Sequence, residues 1–133
     1  MRSIPGPWSC VTLDVHAVDR PEDVGFAAAW LADRRIPATF FVPGSLWRWP
    51  HLRDALATLP GLGHEVASHG LQHDWAEAGA LSAGRGLGFL AEARDRQAAA
   101  LGAPPVSFRA PYWVRLARST AAELVRLGYE VDA

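Results

Sequence analysis

Gly63-His64-Glu65-Val66-Ala67-Ser68-His69-Gly70-Leu71-Gln72-His73 is the stretch on which the reading of this chain turns. Glu65 to Ser68 reads as a short strand, His69 stands at its exit, and His73 follows four residues later. Neutral imidazole nitrogen is the commonest protein ligand for zinc-type metals. Two imidazoles on one local turn can grip one ion without long-range ordering. Taken alone, the spacing is better explained by a surface turn with two incidental imidazoles, or one satisfied core histidine. Two other stretches give it weight: Asp14-Val15-His16 near the start and Arg109-Ala110-Pro111-Tyr112-Trp113 near the end.

Strands and helices alternate on both sides of that segment. Ser9 to Leu13 reads as a buried strand ending at Asp14. Asp19 and Pro21 mark a helix start, with Glu22 and Asp23 near its positive end, and Arg34-Arg35 close it before Pro37. Ala38 to Val42 is a second strand, and His51 to Leu59 a short helix. Gly79 to Gly88 reads as a loop with Ser82 as a cap, before a helix over about Leu87 to Leu101 that Gly102 stops. Val106 to Phe108 is a fourth strand delivering Arg109. Ser119 or Thr120 caps a helix from Ala121 to Leu127, and Tyr129 to Val131 begins a fifth strand.

Such alternation implies a parallel sheet with helical crossovers. Asp14, His69 and Arg109 each fall at the carboxyl end of a strand, where parallel barrels build active sites. A closed barrel needs about eight strands and about 250 residues. The expectation is therefore an α/β fold, an incomplete (β/α) barrel of about five strands with an exposed edge.

Composition sets the outer bounds. The chain has 133 residues, half of them hydrophobic, which suits one domain with a real core. A formal charge of −1 argues against nucleic acid and against an acidic membrane surface as partners. Cys10 is the single cysteine, expected as a buried, inert thiol. Residues 1–8 read as an N-terminal extension without the apolar core of a signal peptide, and no apolar run is long enough for a bilayer. A cytoplasmic location is the default expectation.

The landmarks together resemble the polysaccharide deacetylase family, the NodB-homology domains of carbohydrate esterase family 4. Val11-Thr12-Leu13-Asp14 looks like its first motif, and Ile36-Pro37-Ala38-Thr39-Phe40-Phe41-Val42-Pro43-Gly44 is similar to its second strand. Gly63 to His73 looks like its metal motif, and Phe108-Arg109-Ala110-Pro111-Tyr112 like its arginine motif. The match runs in order from Val11 to Asp132, so the family domain would cover residues 9–133 without its C-terminal part. The resemblance implies an irregular (β/α) barrel of the NodB-homology type holding one divalent metal, with zinc expected and cobalt or nickel as alternatives. The family's first motif has adjacent carboxylates; here Val15 follows Asp14. Residues 10–17 instead resemble an Asp-x-Asp type subgroup that includes cytoplasmic peptidoglycan-deacetylase-like proteins, with His16 at the ligand position. The family's later strands, and the late histidine that protonates the leaving amine, are expected to be missing.

The resemblance also assigns roles. His69 and His73 would ligate the metal and His16 would be the third ligand, against the alternative that His16 is only a loop residue. Asp14 would be the general base, Arg109 would hold it in a charge-assisted pair, and the Tyr112 backbone N–H would face the oxyanion. For Asp14 the alternative is a cap or loop carboxylate, and for Arg109 a surface residue. Trp113 and Pro111 would touch substrate, although most of Trp47, Trp49, Trp75 and Trp113 are expected in packing. His51 and His64 read as structural or surface residues, Glu65 stays ambiguous, and Asp74 is either behind a metal ligand or in a solvated turn.

The expected function is removal of acetyl groups from N-acetylated sugars, a hydrolysis of a non-peptide C–N bond. Two alternatives stand beside it: a non-catalytic remnant that binds metal, carbohydrate or a partner chain, and an amidohydrolase of a small cyclic imide or ureide. Partners would be a carbohydrate or small amide substrate, with a homo-oligomer or a chain completing the barrel as further alternatives.

Overall fold

A computed structural model describes residues 9–133, so the expected N-terminal extension over residues 1–8 lies outside the described residues. Among the described residues there are five strands: β1 Val11–Asp14, β2 Ala38–Val42, β3 Glu65–Ser68, β4 Ser107–Phe108 and β5 Val131–Asp132. They form one sheet in the order β1-β2-β3-β4-β5, and every neighbouring pair is parallel. Five helices connect them: α1 Pro21–Asp33, α2 Pro50–Ala57, α3 Trp75–Ser82, α4 Leu87–Leu101 and α5 Arg118–Arg126. The sheet curls into a half-barrel, the incomplete NodB-type (β/α) barrel.

The pleat sorts the side chains onto two faces. Val11, Leu13, Phe40, Val42 and Val66 face outward and pack with Val24, Ala28 and Leu31 of α1 and Leu52 and Leu56 of α2. A second core joins Leu81, Leu90, Phe108, Leu124 and Tyr129. Thr12, Asp14, Thr39, Phe41, Glu65 and Ser107 alternate with the outward residues and share the concave face. Glu65 binds its neighbours there, accepting from Thr39 Oγ1 at 2.8 Å and from Ser107 Oγ at 2.5 Å. His64 is structural: its Nδ1 accepts from the Ala38 N–H at 3.1 Å, and its Nε2 donates to the Ala28 carbonyl at 2.9 Å.

Three helix-to-strand turns use one device. Ile36 N–H reaches Leu31 O, His64 N–H reaches Leu59 O and Tyr129 N–H reaches Leu124 O. The residue before each donor, Arg35, Gly63 or Gly128, has a positive φ and bonds back three residues. This is the Schellman closure, which satisfies the last helical carbonyls and aims the chain into the next strand. Gly102 also adopts the left-handed conformation after α4, as expected.

Several expectations are corrected. Asp19 does not cap α1; its carboxylate accepts from the His16 N–H at 2.7 Å, and Arg20 holds the cap position without a side-chain capping bond, its guanidinium reaching Asp23 instead. The glycine-rich segment is not simply a loop, because α3 occupies Trp75–Ser82 and Ser82 ends that helix. Asp74 caps it, accepting from Glu77 N at 2.8 Å. The last helix begins at Arg118 behind Ala117, while Thr120 Oγ1 donates to Leu81 O at 2.7 Å. Cys10 is exposed, because it precedes the paired part of β1. Of the four tryptophans near the motifs only Trp47 is buried; Trp49, Trp75 and Trp113 are exposed.

Candidate metal centre

β1, β3 and β4 end at the same edge of the parallel sheet, with β2 between β1 and β3, and the residues at their exits bring the polar groups together. Asp14 closes β1, and Val15 N–H still bonds Phe41 O at 2.9 Å, so the strand alternation runs one residue further. Val15 is therefore buried on the outer side, while Asp14 and His16 lean to the same side. His69 leaves β3 and Arg109 leaves β4, their backbone N–H groups bonded to Val42 O and Ser68 O.

Arg109 reaches across to β1. Its Nη1 donates to Asp14 Oδ1 at 2.7 Å and its Nη2 to Thr12 Oγ1 at 3.1 Å. Its guanidinium lies between the rings of Phe41 and Trp113, at 4.0 and 4.4 Å. Planar guanidinium suits such a sandwich, and a lysine would lose both the fork and the stacking. The second carboxylate oxygen, Asp14 Oδ2, lies 3.6 Å from His69 Nε2.

The three histidines converge. One nitrogen each from His16, His69 and His73 lies within 4.8 Å of the other two. His69 is 1 % exposed and its Nδ1 bonds the Arg109 carbonyl at 2.8 Å. A carbonyl only accepts, so this bond places the proton on Nδ1 and leaves Nε2 with its lone pair. His73 Nε2 stands 3.0 Å from that lone pair. Burial pushes the His69 imidazole down to about 4, and burial followed by the nearby His16 lowers His73 as well. Both rings are therefore neutral at neutral pH, the form that ligates. Three convergent imidazoles suit a divalent ion such as zinc by chemistry and spacing, and His16, His69 and His73 would hold it.

One contributor has no place in the motif reading. Glu77, in α3 and 1 % exposed, accepts from the Leu71, Gln72 and His73 N–H groups at 2.6, 2.9 and 2.8 Å. The only sequence signal for it is Asp74-x-x-Glu77 directly after His73, a helix-start pattern. Of the other expected site residues, Tyr112 stacks on Trp75 at 3.8 Å and its hydroxyl approaches His73 O at 3.4 Å. Trp113 has one face on Arg109 and is otherwise exposed. Pro111 is buried against Gly70, so its place is packing rather than an open surface.

The sheet is thus an open parallel α/β half-barrel with an imidazole cluster and a clamped carboxylate at its strand exits. The polysaccharide deacetylase family matches residues 11–131, and the chain belongs to that family. No curated protein matches the sequence. Among solved structures it is similar to a chitin deacetylase from Colletotrichum lindemuthianum, with 22% identity, TM-score 0.73, and coverage of 93% of this chain and 54% of that one. The peptidoglycan deacetylase PdaC from Bacillus subtilis is similar at 22% identity and TM-score 0.68, covering 92% of this chain and 55% of that one. A CE4 family pseudoenzyme from Bacillus anthracis is similar at 16% identity and TM-score 0.72, covering 92% and 41%. The chain thus spans about half the length of these structures.

Proposed function

We propose that the chain is a metal-dependent deacetylase domain that hydrolyses the acetamide C–N bond of an N-acetylated sugar. The observation that carries the reading is the convergence of His16, His69 and His73 beside the Arg109–Asp14 pair. His16, His69 and His73 would hold a divalent ion, zinc before cobalt or nickel, which when bound would supply Lewis-acid polarisation of the amide carbonyl. Asp14 accepts a proton from the attacking water as the new C–O bond forms, through the Oδ2 that Arg109 leaves free. Arg109 holds that carboxylate in place. The Tyr112 backbone N–H donates to the developing oxyanion. When the C–N bond breaks, the proton passes from Asp14 to the departing amine, leaving acetate and a free amino sugar. Trp113, with one indole face free, offers that sugar a stacking surface.

The free, exposed Cys10 thiol suits a reducing compartment and supports a cytoplasmic place of action. Among the described residues no helix is long and apolar enough to cross a membrane.

The test is metal content and acetate release from N-acetylglucosamine oligomers by purified protein, with His69→Ala and His73→Ala alongside. Stoichiometric metal that both variants lose, with matching loss of acetate release, supports the proposal; a wild-type chain that takes up no divalent ion removes it. A second reading, a domain that binds metal and glycan without turnover, is favoured by one observation: Val15 separates Asp14 from His16 where the family pattern has adjacent carboxylates. Metal and glycan binding without acetate release, unchanged in His16→Asp, would establish that reading in place of the first.

A further inference from the structure

His73 has a backbone that its residue type does not favour. Its φ is +58°, in the left-handed region, yet its ring must turn back toward His69 across Gly70, Leu71 and Gln72. Nothing in those three residues holds such a loop by itself. Gly44 N–H and Ser45 N–H take up the Gly70 and Leu71 carbonyls, both at 2.8 Å, while the loop's own amides are gathered by the two oxygens of Glu77: Oε1 accepts from Leu71 N–H, and Oε2 from Gln72 N–H and His73 N–H. Successive amides curled around one anion form a nest, and here the anion is a side chain of the same protein. Asp74 fixes the first turn of α3 by accepting from Glu77 N, so the carboxylate is presented from a rigid helix end.

The same carboxylate reaches the arginine motif. A Cβ on Gly70 would lie 2.7 Å from Glu77 Oε1 and 2.8 Å from the Pro111 ring. Gly70, at φ +77°, is thus squeezed between Glu77 and the segment that carries Arg109 and Tyr112. Glu77 is too deeply placed to be a surface charge, and its side chain has no other partner to explain it among the described residues.

We infer that Glu77 is a positioning residue for the metal centre, its buried carboxylate holding the 70–73 backbone so that His73 meets His69. The inference rests on the metal reading proposed above. It makes affinity for the ion depend on a residue that never touches it, and outer partners of this kind typically change metal affinity about 10- to 100-fold.

The experiment compares wild type, Glu77→Gln and Glu77→Asp. Glu77→Gln keeps the shape but puts an NH₂ donor against amide donors; Glu77→Asp keeps the charge on a shorter arm. Zinc affinity is measured by competition with a chelating indicator, cobalt coordination by visible absorption, and loop order by amide hydrogen exchange on ion-free protein. The expected result is a loss of affinity of about 10- to 100-fold in Glu77→Gln with an altered cobalt spectrum, and partial recovery in Glu77→Asp. Leu71, Gln72 and His73 amides exchange faster in Glu77→Gln while Phe40 and Val66 keep their protection, which separates loop release from unfolding. Wild-type zinc affinity and cobalt spectrum in Glu77→Gln would overturn the inference. So would equal exchange of the three amides in wild type and variant, whatever the metal result. Protected amides in a wild-type chain that takes up no zinc or cobalt would instead overturn the metal reading, and with it any role for Glu77 at a metal.

Discussion

Arg109 is held by a carboxylate, a hydroxyl and two aromatic faces. Its charge is therefore spent on orienting Asp14. Asp14→Asn is expected to lower acetate release about 100- to 10,000-fold, the usual worth of a positioned proton acceptor, with zinc binding kept. Arg109→Lys is expected to lower kcat with KM little changed, because the fork to Asp14 and Thr12 is lost but the strand exits stay in place. His69 makes the stability of the ion-free protein pH-dependent. Its folded value of about 4 lies below the ordinary 6.5, so between those values the unfolded chain binds a proton that the folded one refuses. Stability in excess chelator should rise with pH across that window and level off above it, as urea midpoints would show; in His69→Asn the slope should flatten. Asp14, His69 and Arg109 were legible in sequence because each follows an apolar strand, where a polar residue has few other reasons to stand. Glu77 was not, because its partners are backbone amides four to six residues behind it, and no side-chain pattern announces them.

Elements were legible where periodicity and punctuation agreed. β2, β3 and α4 lie where the sequence places them, bounded by Pro37, Pro43, Gly63 and Gly102. α3 was missed because Gly79 and the glycines after it argue against a helix, and propensity is overruled by packing. Ala78 and Leu81 are buried, and Leu81 O receives both Thr120 Oγ1 and the Ala117 N–H. Removing its cap with Asp74→Ala should cost about 1 kcal/mol in denaturant unfolding. The turn after α1 offers the opposite change. Arg35 occupies at φ +56° a position that glycine fills in the two sister turns. Arg35→Gly should stabilise the fold by up to about 1 kcal/mol, because left-handed strain is relieved by more than the added chain entropy costs. A drop in the urea midpoint would contradict this.

At the scale of the whole molecule, the outer layer is covered and the ends of the sheet are not. Among the described residues β1 pairs only with β2, and beside it Phe26 and Trp30 of α1 are 72 % and 44 % exposed, bordering Val11 and Leu13 in an apolar groove. Exposed apolar surface next to an unpaired strand favours association. Sedimentation of the chain should show concentration-dependent self-association that Phe26→Ser weakens without changing the circular dichroism spectrum. The barrel class was legible from alternation alone, whereas the character of the hollow was not, since strands this short do not announce which face is concave. That hollow is lined by the hydroxyls of Thr12, Thr39 and Ser107, the carboxylates of Asp14 and Glu65 and the ring of Phe41, rather than by branched aliphatics. Such a lining carries no branched aliphatic packing, so the shell holds its shape by its rind instead of its pith. A complementary shell of the same curvature could be joined to it or lifted away without stripping oil from either piece, which makes this rim a natural seam for cutting and recombining barrels.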